Sequence, residues 1–169
     1  MAAVVSDFEP DDVRRRLSLF VVTDPALFHA VMLVALCHYL TAHAGRPHPI
    51  DLLWLRGMAI HEVNRALEDP VRRNCDELIA AVAHMAWFEA LASDWDTFST
   101  HMAGLLGAVA MRGGLPTLGL GGILERILLW IDANAAPLRG ARLYFDKAAF
   151  PTSAVHPRPN SRGFARGVA

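Results

Sequence analysis

Metal or proton chemistry in this chain would draw first on its eight histidines: His29, His38, His43, His48, His61, His84, His101 and His156. Their spacing decides against a helical zinc site. His61-Glu62 supplies the opening of an HExxH motif, but position 65 is Arg65, and two imidazoles must stand four residues apart to share a helix face. Each histidine is expected in solvent or hydrogen-bonded within a core. Carboxylates occur as Asp11-Asp12, as Asp94 with Asp96, and at Glu89. The first pair suits a helix start, and Asp96 belongs with Ser93 in a cap. A DDxxD metal motif is missing, because Arg14, Arg15 and Arg16 stand where it would continue.

Glycines cluster at Gly113, Gly114, Gly119, Gly121 and Gly122. A phosphate-binding loop needs a strand before it and, in its commonest form, a lysine after it, whereas these glycines follow a helical pattern and read as turn formers. G-x-S-x-G does not occur, so no nucleophile elbow is offered. The sequence leads us to expect no catalytic residue, no metal ligand and no cofactor.

The elements that position these residues read as helices throughout. The chain has 169 residues, 53% hydrophobic and 20% charged, enough for one domain with a filled interior. Sixteen basic residues against seventeen acidic ones leave no broad basic field for a polyanion, so direct nucleic-acid contact is not expected. Arg14-Arg15-Arg16 reads as a solvated helix face, and Arg158, Arg162 and Arg166 are too few to hold phosphate at physiological salt. Cys37 and Cys75 cannot form a disulfide framework or a four-thiolate zinc site. The start MAAVVSDFEPDD lacks the basic flank and apolar run of a signal peptide, so secretion is not expected. Phe28 to Leu40, the most apolar stretch, is broken by His29 and His38 and reads as a core helix rather than a membrane span.

Apolar spacing predicts a short helix over 10–19 and one from Asp24-Pro25 to about Thr41, apolar on nearly every face and therefore central. Helices follow over 50–67 and 75–91, the latter opened by Asn74 with Glu77. Two more run from behind Ser93 to Gly113-Gly114 and over 120–133. No strand pattern is found. The fold expected is all-α, a single-domain antiparallel bundle of five to six helices. Its parts are an N-terminal segment over 1–22, a helical domain over 23–146 and a flexible tail over 147–169.

Within that scaffold the string HMAGLLGAVAMRGGLPTLGLGGILERILLWIDANAA, residues 101–136, resembles the helical regulatory region of fungal zinc-cluster transcription factors. The match falls on His101, Gly104, Met111, Arg112, Gly113, Gly114, Leu118, Gly119, Leu129, Trp130 and Asp132. AIHEVNRALEDP and DELIAAVAHMAWFEALASDWDTFSTHM, upstream, are similar to two further helices of that family. The resemblance spans about residues 25–136. It implies a helical domain controlling a DNA-binding part that carries six cysteines, in a nuclear or shared nuclear and cytoplasmic setting.

With two cysteines in total, DNA binding is not carried over to this chain. Three readings stay open: a stand-alone member, a shortened gene product, or a protein that pairs with a complete relative. The expected partner is a protein, either a full-length zinc-cluster relative or a second copy, with a small-molecule effector as a further ligand and no membrane. The resemblance supplies no catalytic residues. Arg112 is expected to lie back across helix ends, bonding carbonyls or Asp132. The competing reading is an all-helical enzyme or carrier with an interhelical site using His61, His84 or His101; gathering of those histidines with a carboxylate around one pocket would favour it.

Overall fold

The computed structural model describes residues 10–43, 51–152 and 158–166, and for 10–14 and 166 the backbone alone. Among the described residues seven α-helices follow in order: α1 (Pro10–Thr23), α2 (Pro25–Ala42), α3 (Leu52–Glu68), α4 (Asp76–Leu91), α5 (Trp95–Arg112), α6 (Ile123–Arg139) and α7 (Ser161–Arg166). Two 3₁₀ turns, Leu115–Thr117 and Leu120–Gly122, join α5 to α6. No strand occurs among the described residues, and the fold is all-α. The glycine and prolines expected to end α2, Gly45, Pro47 and Pro49, lie outside the described residues, as do His48 and His156.

The starts of α2 to α5 have local causes. Asp24 accepts the N–H of Leu27 at 3.1 Å, and Pro25 is pre-set for the first helical position. Asp51 caps α3 through the N–H of Leu53. Two caps sit one residue later than the sequence suggests. Cys75, not Asn74, opens α4 through its sulfur, and Asp94, not Ser93, opens α5 by accepting the Thr97 N–H at 3.1 Å. Ser93 has φ 59°, a left-handed conformation that the extended N-cap position does not allow.

The central helix is α4 rather than α2. Twelve of its sixteen residues are buried, and it packs against α2, α3, α5 and α6. Its alanines (Ala80, Ala81, Ala83, Ala86 and Ala90) present thin faces on which neighbouring helices can lie close. A carboxylate also sits there, Glu89, held by Arg56 of α3 through Nη2 at 2.8 Å and Nε at 3.0 Å. Burial pushes the Glu89 carboxyl up, while Arg56 draws it back down.

α2 buries Ala26, Leu27, Ala30, Leu33, Val34 and Leu36, while Phe28, Met32 and Tyr39 are exposed, so its outer face is largely apolar among the described residues. Its 18 residues match the helix expected from Asp24-Pro25 to about Thr41, with the apolar run Phe28 to Leu40 inside it. By length and composition alone it could cross a bilayer, and one-third of it is buried inside the bundle.

Residues 158–166, part of the stretch expected as a tail over 147–169, pack against the bundle. Asn134 of α6 accepts the Asn160 N–H at 2.6 Å, Asn160 in turn caps α7 by accepting the Gly163 N–H, and Phe164 is buried. The Trp87 indole N–H donates to the Phe164 carbonyl at 3.2 Å, and the Phe164 ring stacks on Trp87 at 5.8 Å. One aromatic side chain in a Pro-, Gly- and Arg-rich stretch is enough to dock it when a tryptophan pair lies opposite.

Candidate functional site

The Arg-Gly-Gly block builds a clamp between the end of α5 and the start of α4. Gly113 (φ 94°) takes the left-handed conformation that closes α5, and Gly114 (φ 107°) continues the turn, conformations that side chains disfavour. Arg112, one residue earlier, reaches back across the start of α4. Its Nη1 donates to the Asn74 carbonyl at 2.9 Å and its Nη2 to the Thr117 carbonyl at 3.3 Å, with Asp76 Oδ1 2.9 Å from Nη2. Asp76 Oδ2 then accepts the backbone N–H of Gly119 at 3.1 Å. Carbonyl partners for Arg112 were legible in the sequence; its carboxylate partner is Asp76 rather than Asp132. Asp76 carries only the weak signal of an acid in a first helical turn, so its pairing emerges only from the packing of α4 on α5.

Asp132 has a different task. It is buried on α6, and its Oδ2 accepts the N–H of Phe145 at 2.8 Å, which fixes the segment after α6 so that the Phe145 ring enters the core. Trp130, on the same helix, meets Trp87 edge-on at 4.9 Å and Phe164 at 5.4 Å.

His101 and Gly104 open onto a pocket between α3, α4 and α5, with a volume of about 280 Å³. Val63, Leu78, Ile79 and Leu105 are buried in its floor, whereas Asn64, Arg73 and Thr100 are exposed at its rim. Gly104 leaves the wall open: a Cβ there would meet nothing within 4 Å. Burial and Arg56 lower the His101 pKa, with Asp94 acting against them, so its imidazole is neutral at physiological pH. No hydrogen bond from that imidazole to another described residue is found. A neutral ring with free nitrogens beside an apolar floor can donate to or accept from a ligand. A shallower hollow of about 650 Å³ lies beside Ala133, Pro137, Leu143 and Lys147 and holds none of the motif residues.

The three histidines proposed for a competing reaction centre do not come together. His61 is exposed on α3, His84 is buried in α4, and His101 stands at the pocket. His84 Nδ1 is 2.8 Å from the Ala80 carbonyl, Nε2 has no partner, and burial pushes the pKa down to about 4. His29 and His43 bond carbonyls of their own helix, at Pro25 and Tyr39, and His38 meets Trp87 edge-on at 5.4 Å. Among the described residues no group of three His, Cys, Asp or Glu side chains is placed to hold a metal ion.

Compared with known families, residues 9–147 match the fungal specific transcription factor domain, a span from just ahead of α1 to beyond α6. No curated protein and no solved structure matches the chain.

Proposed function

The chain belongs to the fungal specific transcription factor domain family, and from that membership we propose that it is a regulatory module whose pocket between α3, α4 and α5 receives a small-molecule effector. The pocket itself supports this most directly. Two residues of the family-like block, His101 and Gly104, form its wall, and Gly104 occupies a helix interior where alanine would be more stable and would meet nothing. In this reading Gly104 leaves room on the pocket wall for a ligand. Ligand binding there would act on the relative positions of α3, α4 and α5, and so on surfaces presented to other proteins.

Within these 169 residues there are two cysteines, against six in a binuclear zinc cluster. In this reading DNA is contacted by a zinc-cluster partner, and the module works in the nucleus as a non-enzymatic regulator. A second observation favours a protein partner. α2 carries no Asp, Glu, Lys or Arg along its length, and Phe28 and Met32 are exposed on it among the described residues.

A reporter assay tests the proposal. Joined to a heterologous DNA-binding domain, the chain is expected to change transcription of a reporter gene. Gly104→Leu, which fills the pocket, is expected to fix that output at one level regardless of growth medium while circular dichroism stays helical. An output that still varies with medium as in the parent would refute the effector site.

A further inference from the structure

The rim of this pocket bears on the chemical class of its ligand, an assignment that rests on reading the pocket as an effector site. Five arginines lie on or between α3, α4 and α5. Four have carboxylate partners: Arg56 with Glu89, Arg65 with Glu62, Arg72 with Asp24 and Arg112 with Asp76. Arg73 makes no ion pair with a described residue, and it stands on the pocket rim. No carboxylate is among the residues that line the pocket. Among the described residues the rim therefore holds one positive charge without a counter-charge, above walls of Ile79, Val82, Leu105 and Ala108.

We propose that the pocket binds a small straight-chain monocarboxylate, its headgroup on Arg73 and its aliphatic body against Ile79, Val82 and Leu105. A guanidinium presents paired N–H donors that match both carboxylate oxygens, and a partly apolar surrounding strengthens the pairing relative to water. His101 and Asn64 supply neutral hydrogen-bonding groups on the same rim, neither bonded to another described residue. The volume of about 280 Å³ is at the lower edge of small-molecule sites, which restricts the ligand to about six to ten heavy atoms. A dianion is disfavoured, since the second carboxylate would enter walls that offer it no cation.

Isothermal titration of the full chain with sodium hexanoate, 1-hexanol and hexylamine separates the possibilities. Hexanoate is expected to saturate one site, with 1-hexanol at least about tenfold weaker and hexylamine silent. Arg73→Gln is expected to erase the preference for the acid, and Gly104→Leu to remove binding altogether. Equal affinity for acid and alcohol, lost together in Gly104→Leu, would overturn the carboxylate assignment and leave the pocket as a ligand site. Binding of hexanoate unchanged by Gly104→Leu would overturn both. Absence of heat from hexanoate up to about 10 mM would overturn the assignment, and the reporter response of Gly104→Leu then decides the pocket separately.

Discussion

Gly119 donates its backbone N–H to Asp76 Oδ2 at 3.1 Å, and a Cβ at position 119 would fall well inside van der Waals contact with that same oxygen. The φ of Gly119 is −74°, an angle any residue adopts, so what excludes a side chain there is the carboxylate and not the backbone. Asp76 also holds Arg112, so the approach of the 119 backbone and the turn after α5 are fixed by one side chain.

Gly119→Ala is expected to destabilise the chain by about 1–3 kcal/mol, because Asp76 must leave its place and give up both partners. In an Asp76→Ala background the same change is expected to cost less than half as much. Urea denaturation of the four proteins in the cycle measures the coupling, and additive effects would refute the steric account.

Arg112 makes two bonds to carbonyls and one ion pair at a site only about one-quarter exposed. Arg112→Ala is expected to lower stability by about 2–3 kcal/mol, or roughly 5–10 °C in Tm. Arg112→Lys should recover less than half of that, since one ammonium cannot span Asn74, Thr117 and Asp76. Differential scanning calorimetry reads both; an unchanged Tm in Arg112→Ala would remove the clamp from the stability of the fold.

Acid sensitivity follows from His84. Its pKa in the folded chain is about 4, below the ordinary 6.5, so the unfolded chain takes up a proton first as pH falls. Stability from this group is complete above about pH 6.5 and declines as pH drops toward 4. At pH 5 the loss is about 2 kcal/mol, roughly 4–8 °C in Tm. His38 and His101 shift in the same direction, and Glu89, whose pKa is raised, works against them. His84→Leu is expected to flatten most of the slope between pH 7 and 5 in a Tm series. A slope as steep as the parent's would assign the acid sensitivity elsewhere.

Phe164→Ala is expected to cost about 3–5 kcal/mol and to shift tryptophan emission to the red, because Trp87 and Trp130 lose the ring that shields them. Unshifted emission with unchanged stability would mean that α7 does not dock in solution.

Local rules made the helices legible and left their pairings unread. Apolar spacing located six helices within a few residues, since each buries a stripe with a 3.6-residue period. α6 continues past the expected 133 to Arg139, with Pro137 in its last turn, where a proline removes one helical hydrogen bond, and Gly140 closes it. α4 was underrated because alanines give little periodic signal while they allow close approach on all sides. Asp76, Arg73 and Phe164 escaped notice for a shared reason. Their importance lies in which helix ends meet, and spacing along the chain carries no trace of that. Gly104 was picked out by resemblance alone, and His101 both by resemblance and as a candidate for the competing site; that they border one pocket is a fact of packing.

The bond from Trp87 to Phe164 joins residues 77 positions apart, whereas α2 with α3 and α4 with α5 are neighbours in sequence. Closing a loop of that span costs more chain entropy than pairing helices adjacent in sequence, so α7 is the described helix whose docking leans most on single contacts such as Phe164 against Trp87 and Trp130.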